Sequence, residues 1–312
     1  MAALTIAVGN YGLTKTLKES LLRDGRLTLE PVEISPITAA MRRMVRGLEF
    51  DICEMAFTTY LCAKAVGKPV TAIPVFVTRN FHHWAVWHNV KAGIKSPKDL
   101  EGRTVGVNRG YTVTTGVWVR GVLHEAYGVD LKKIRWAATD DEHVSEYRAP
   151  GYVDYASLRG KDLGKLLASG EIDAAIGDIK AESQDVQQLI PDARGAGFAY
   201  YRKTGIYPMN HTVVVKDALL DAHPWLAEAL FDRFKASKDA YLKRLAGGAA
   251  TDADKTALAL QAGVGGDPYP YGVEANRKGL EAIVRFAVDQ EAIATPYTPE
   301  ALFAETTHRL AG

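Results

Sequence analysis

Strand-patterned and helix-patterned segments alternate along most of this chain, and that alternation restricts it to an α/β architecture with largely parallel sheets. Leu4–Val8 is an apolar strand ending in the Gly9-Asn10 turn, and a helix is expected from about Thr14 to Arg23. Val32–Ile34 reads as a second short strand. Ile37, Met41, Met44 and Leu48 recur at helical spacing, with Arg42, Arg43 and Arg46 off that stripe on a solvated face. Phe50–Cys53 reads as a strand, Thr58–Val66 as a helix closed by Gly67, and Val70–Val77 and Phe81–His88 as strands.

A new unit begins at Ser96-Pro97, an N-cap with proline at the first helical position. Arg103–Val107 and Ile134–Ala138 read as strands around a helix, Val113–Tyr127, stopped by Gly128. Thr139–Tyr155 is polar, aperiodic and long for a loop, which points to a functional segment. Leu158–Leu167 reads as a helix, Ile172–Ile176 as a strand and Ala181–Leu189 as helical. The pattern changes after Gly195-Ala196-Gly197, where a strand, Thr212–Val215, precedes helices at Trp225–Leu245, Glu274–Val288 and Pro299–Leu310. Gly263–Gly272 is a loop. Leu4–Tyr11 and Arg103–Tyr111 echo each other as strand, polar turn and helix start, which suggests two lobes on one plan.

Composition narrows the function. A chain of 312 residues has room for two domains, and 47% hydrophobic with 24% charged residues is a globular balance. Lys plus Arg number 38 against 37 Asp plus Glu, so no net field favours nucleic acid or an anionic membrane. No apolar run reaches the roughly 20 residues a bilayer span needs. Met1-Ala2-Ala3 runs straight into the first strand without an export pattern, so a cytoplasmic location is expected. Cys53 and Cys62 have no zinc-spaced companions and read as buried thiols. The absence of a GxGxxG, Walker or Gly-x-Ser-x-Gly motif disfavours nucleotide cofactors and serine hydrolysis. Scattered Tyr and Trp argue against a nucleic-acid stacking surface.

The order of elements resembles the type 2 periplasmic-binding-protein fold, in which ligand sits in a cleft between two α/β lobes. Asp99–Val107 is similar to the opening of that fold's second lobe. The resemblance implies one lobe from residues 1–85 with 205–312 and another from 86–204, the return crossing lying near Phe198–His211. Within that fold the chain resembles the 4,5-dihydroxyphthalate decarboxylase family. The matching segments are Phe50–Met55, Arg79-Asn80-Phe81-His82-His83, Trp118–Leu123 and Tyr207-Pro208-Met209-Asn210-His211. It departs from the family pattern at His82 and at Arg109-Gly110-Tyr111.

Candidate site residues follow from strand ends and helix starts. Asn10 and Tyr11 stand at the first helix N-terminus, and Arg109, Tyr111 and Thr112 at the second, where backbone N–H groups suit a carboxylate. The alternative for Thr112 is a helix cap. Arg79, His82 and His83 end a strand run, and adjacent strand residues face opposite ways, so one histidine at most enters the cleft. Glu54 and Asp178 follow strands at the carboxyl ends where ligands of open α/β sheets bind. Asn210 and His211 lead into a crossing strand, where a histidine suits a general acid. Glu54, His82 or His83, Asp178 and His211 also form a conceivable N/O metal set, although no local ligand motif supports one, and the expectation is no metal and no cofactor.

The resemblance implies loss of one carboxylate from a hydroxylated aromatic diacid, best matched by conversion of 4,5-dihydroxyphthalate to protocatechuate. The alternative is a transporter's solute-binding protein for a small organic acid. In the decarboxylase reading His211 is the acid, His82 its reserve, Glu54 or Asp178 handles the phenols, and Arg79, Arg109 and the Thr112 turn hold the retained carboxylate. An apolar stripe with Leu280, Ile283 and Val284 adds the expectation of a homo-oligomer.

Overall fold

A computed structural model describes residues 3–19, 23–24 and 27–312, and it resolves into two compact units. Unit 1 comprises Met1–Asn80, Met209–Glu281 and Tyr297–Gly312, and unit 2 comprises Phe81–Pro208 and Ala282–Pro296. The lobe boundaries expected from the sequence, 85/86 and 204/205 with everything after 205 in one lobe, differ from these by a few residues and by the segment Ala282–Pro296. Met1-Ala2 and residues 20–22 of the expected first helix lie outside the described residues.

Unit 1 begins β1 (Leu4–Ala7), α1 (Gly12–Glu19), β2 (Arg23–Asp24), β3 (Leu27–Pro31), α2 (Thr38–Gly47), β4 (Ile52–Ala56), α3 (Phe57–Ala65) and β5 (Val70–Arg79). The expected strand Val32–Ile34 is not one: β3 ends at Pro31 and residues 32–34 carry no regular structure. In α2 the predicted stripe is the buried one, with Met41, Met44 and Val45 inside. Its C-cap Leu48 takes φ 50°, and the cap N–H closes onto the Met44 carbonyl.

Unit 2 contains β6 (Val86–Asn89), β7 (Thr104–Val107), α4 (Thr114–Tyr127), β8 (Arg135–Ala138), β9 (Val153–Asp154), α5 (Leu163–Ser169), β10 (Ala174–Ile176), β11 (Val186–Gln188) and α6 (Ala193–Thr204). Gly128, at φ 67°, ends α4 as its composition predicts. Several expectations fail here, and of the expected strand Phe81–His88 only the part in β6 is strand. The Ala181–Leu189 helix is instead loop and edge strand β11, because pairing with β6 outweighs local helix preference. Gly195-Ala196-Gly197 lies inside α6 rather than between elements.

The chain returns through β12 (Met209–Lys216), α7 (Asp217–Ala222), α8 (Leu226–Ala246), α9 (Lys255–Val264) and α10 (Arg277–Asp289). The expected helix over Pro299–Leu310 is two short 3₁₀ turns.

Each unit holds a six-stranded mixed sheet, in the order β2-β3-β1-β4-β12-β5 in unit 1 and β11-β6-β10-β7-β8-β9 in unit 2. Parallel pairs such as β1 with β3 and β4 coexist with antiparallel ones, above all β12 between β4 and β5. Unit 1 buries Ile6, Val75 and Val213 against Leu230, Phe231 and Phe234 of α8. Unit 2 buries Val105, Trp136 and Ile176 in one cluster and Leu163, Leu167 and Ala175 in another. The apolar stripe that suggested an oligomer is spent within the chain: Leu280, Ile283 and Val284 are all buried. Among the described residues no helix is long and apolar enough to cross a membrane.

Candidate functional site

Three distant segments meet at one carboxylate in unit 1. Glu54 lies in β4 and pairs with Val213 of the antiparallel β12, which makes His211 its diagonal neighbour on the same face. The His211 Nδ1 is 2.6 Å from Glu54 Oε1. A carboxylate only accepts, so Nδ1 carries the proton and Nε2 is the nitrogen left for chemistry. The Tyr11 hydroxyl donates to the same Oε1 at 2.8 Å, and the Gly9 N–H donates to Oε2 at 2.7 Å.

Glu54 is wholly buried, a position that a carboxylate occupies only when donors replace its water. Burial, reinforced by the neighbouring Glu54 charge, holds the Tyr11 phenol well above its ordinary pKa, so it stays a donor. The ring of Tyr11 folds back over Gly9, where a Cβ would come within 2.5–2.7 Å of it. His211 keeps 18% side-chain exposure, so its imidazole is reachable while Glu54 is not. The expectation that Glu54 meets substrate phenols directly is therefore corrected: its oxygens are committed to Gly9, Tyr11 and His211.

Other predicted residues of this unit serve elsewhere. Asn10 is exposed and tied into a triad, accepting from Lys18 Nζ at 2.7 Å and donating to Glu33 at 3.0 Å. Arg79 is 4% exposed, and its guanidinium donates to the Pro270 carbonyl at 3.2 Å and to the Asn276 side chain. Asn210 is half-buried beside His211.

In unit 2 the helix-start site is already occupied. Glu142, from the polar stretch 139–155, accepts from the Thr112 N–H at 3.1 Å and from the hydroxyls of Thr112 and Tyr155. Gly110 makes room for it, since a Cβ there would lie 2.7–2.8 Å from the carboxylate. The Thr112 turn thus binds an anion, as its geometry predicts, but the anion is the chain's own. Sequence reasoning passed over Glu142, although the aperiodic length of its loop was the available signal.

Tyr111 is fully buried, with the Arg120 guanidinium 3.8 Å from its ring centroid, and so belongs to the core rather than to a binding surface. Arg120, inside the family-matching segment Trp118–Leu123 but given no role from the sequence, is wholly buried and donates to Gln290 at 2.7 Å and to the Tyr111 carbonyl at 2.6 Å. Arg109 takes φ 71°, and its N–H donates to the Thr139 hydroxyl at 2.8 Å. Burial lowers the Arg109 pKa while Asp178 and Asp140 act to raise it. Asp178 itself is exposed.

The two histidines do not lie on a strand, so the alternation argument fails for them. His82 precedes a 3₁₀ turn, His83–Ala85, and both rings are interior: His82 stacks on Trp118, and His83 meets Tyr127 and Tyr200 edge-on. Burial lowers the His83 pKa to about 4. These positions suit packing rather than proton transfer. Among the described residues no group of three or more His, Cys, Asp or Glu is arranged to hold a metal.

Comparison with known proteins places this geometry in context. Residues 44–244 match the family model described as NMT1/THI5 like. The chain is 34% identical over 264 residues to a 4,5-dihydroxyphthalate decarboxylase of Comamonas testosteroni, covering 80% of this chain and 78% of that protein. It is 32% identical over 217 residues to one of Pseudomonas putida, covering 64% and 81%. In structure it is similar to the periplasmic aliphatic sulphonate binding protein SsuA of Escherichia coli, with a TM-score of 0.55 at 12% identity over 97% of this chain and 92% of that one. At that identity the likeness shows the fold alone, a periplasmic-binding-protein fold.

Proposed function

The chain belongs to the 4,5-dihydroxyphthalate decarboxylase family, and we propose that it is a carboxy-lyase that removes one ring carboxylate from a hydroxylated aromatic diacid, 4,5-dihydroxyphthalate being the substrate, in the cytoplasm. The observation that carries the reading is the His211–Glu54 pair: a partly exposed imidazole whose Nδ1 is fixed by a buried carboxylate, on a chain 34% identical to a named decarboxylase.

Direct loss of CO2 would leave an aryl carbanion. A hydroxyl para to the departing carboxylate offers a lower route. The phenol gives its proton to water, and the ring takes a proton at the carboxyl-bearing carbon from Nε2 of protonated His211. That produces a dienone. The C–C bond then breaks, its electron pair returns to the ring, CO2 leaves, and the phenolate is reprotonated to give protocatechuate. His211 regains its proton from solvent. Glu54 stabilises the imidazolium and fixes its orientation, and Tyr11 and Gly9 hold Glu54, which makes these three positioning residues.

The test is CO2 release from 4,5-dihydroxyphthalate by the purified protein. His211→Ala is expected to lower kcat by about 10²–10⁴-fold with little change in substrate binding. Full kcat in that variant would remove His211 from the role. Tight binding of the acid by the unmodified protein without CO2 would instead support a solute-binding function.

A further inference from the structure

One turn delivers two of the donors that hold Glu54, and one side chain fixes that turn. Between the end of β1 and the start of α1, the Gly9 N–H reaches Glu54 Oε2 at 2.7 Å and the Tyr11 hydroxyl reaches Oε1 at 2.8 Å. Thr14, the third residue of α1, is wholly buried. Its hydroxyl accepts from the Tyr11 N–H at 3.0 Å and donates to the Gly9 carbonyl at 2.7 Å, which is nearer than the Tyr11 carbonyl at 3.2 Å. Its own N–H donates to the Tyr11 carbonyl at 3.1 Å. Thr14 thus grips the two residues that grip Glu54.

A threonine hydroxyl inside a helix ordinarily bonds a carbonyl three or four residues back. Here it reaches five residues back, to a residue outside α1, so the bond shapes the turn rather than the helix. The helix itself is anchored on α8. A Cβ at Gly12 would overlap the Tyr241 ring, and the Leu17 N–H donates to the buried Ser237 hydroxyl at 2.9 Å. With α1 fixed in this way, the Thr14 hydroxyl carries the anchoring across the turn to Gly9. Glu54 Oε1 is shared between the Tyr11 hydroxyl and His211 Nδ1, so the alignment of the 2.6 Å contact with Nδ1 depends on where the turn stands. A turn free to shift lets the carboxylate follow its donors out of line with the imidazole.

We propose that Thr14 is a positioning residue for the proton transfer from His211: its hydroxyl sets Gly9 and Tyr11 so that Glu54 presents Oε1 to Nδ1 and leaves Nε2 for the substrate ring. The assignment deepens, and rests on, the decarboxylase reading. It also gives α8 a part in the chemistry, as the support against which α1 and its turn are set.

The test compares Thr14→Val, which keeps the shape of the side chain and removes both hydroxyl contacts, with Thr14→Ser, which keeps the hydroxyl. In CO2 release from 4,5-dihydroxyphthalate by the full chain, Thr14→Val is expected to lower kcat about 10–10²-fold with KM little changed, the scale of a slightly misplaced reacting group. Thr14→Ser is expected to restore most of the loss. In the His211→Ala background Thr14→Val is expected to lower the residual kcat no further, because residues that act as one unit are not additive. Proton NMR reads the same link without turnover. The Nδ1 proton of His211, bonded to a carboxylate at 2.6 Å, is expected far downfield in the unmodified protein and in Thr14→Ser, and shifted upfield or lost to exchange in Thr14→Val. An undiminished kcat in Thr14→Val overturns the assignment. So does an equal further loss in the His211→Ala background, which marks a general defect of the fold. If the unmodified protein releases no CO2, the decarboxylase reading falls, and the Nδ1 resonance still decides whether Thr14 sets the pair: an unmoved resonance in Thr14→Val overturns it. Should Thr14→Val not fold, Thr14→Ala takes the same measurements with the same expected outcomes.

Discussion

At φ 71° the backbone of Arg109 lies where a side chain costs about 1 kcal/mol or more relative to glycine. The Thr139 hydroxyl accepts from the Arg109 N–H and the Thr139 N–H donates to the Arg109 carbonyl, which holds that conformation in place. Arg109→Gly is therefore expected to raise stability by roughly 0.5–1 kcal/mol in urea unfolding. If Arg109 also contacts substrate, the same variant raises KM, and the two readouts separate conformation from binding. Glu54 shows the opposite economy, since all its neighbours are donors. In Glu54→Gln the amide must turn its oxygen to Gly9 or to His211 and present N–H to the other. The expected result is a kcat loss of about 10²–10⁴-fold with KM little changed, which a single-turnover measurement of CO2 release checks. A variant with unchanged kcat would separate the pair from catalysis. Of the residues around this carboxylate, His211, Glu54 and Tyr11 were legible as strand-end and turn positions. Their mutual contact was not, because β4 and β12 are separated by more than 150 residues.

Elements in unit 2 are held by close approaches that only small residues permit. A Cβ at Gly121 would overlap the ring of Phe286, so α4 and α10 pack with almost no gap there. Gly121→Ala is expected to cost about 1–3 kcal/mol by overpacking, measured as a lower urea midpoint at unchanged m-value. The loop 139–155 is fixed differently, through Glu142 at the α4 start. Glu142→Ala removes the acceptor shared by the Thr112 N–H and the Thr112 and Tyr155 hydroxyls, and is expected to destabilise by about 1–3 kcal/mol. Faster amide exchange confined to residues 139–155 would locate the effect, whereas an unchanged exchange pattern would show that the loop does not depend on Glu142. Helices with periodic stripes and glycine stops, such as α2 and α4, were legible from local pattern. The strand β11 and the 3₁₀ turn at His83 were not, since strand pairing and tertiary packing decided them.

For the whole molecule, the clearest pH signature comes from the buried His83. Its folded-state pKa of about 4 lies below the roughly 6.5 of an unfolded histidine, so the unfolded chain binds more protons between those values. Its contribution is complete above pH 6.5 and is lost as pH falls toward 4, amounting to roughly 3 kcal/mol across that window. Burial lowers the half-buried His88 in the same direction. Urea unfolding at pH 7.5 and pH 5 is expected to show the fall, and His83→Phe to remove most of it. An equal slope in the variant would assign the pH dependence to other groups. The formal net charge of +1 adds little long-range repulsion to this balance.

Local chemistry sufficed for the α/β class, the strand ends at which functional side chains gather, and the family resemblance, because periodicity, caps and short motifs are encoded in neighbouring residues. Only the tertiary structure decided which polar groups would be buried and against what. It gave Glu142 the anion site expected for a ligand, tied Arg79 to Asn276, and sank His82 and His83 among aromatic rings. It also spent the Leu280–Val284 stripe inside the chain. The physical reason is common to all of these. Burial and hydrogen-bond partnership depend on residues brought together from distant parts of the chain, and a charge or an apolar face takes its role from the partner it meets.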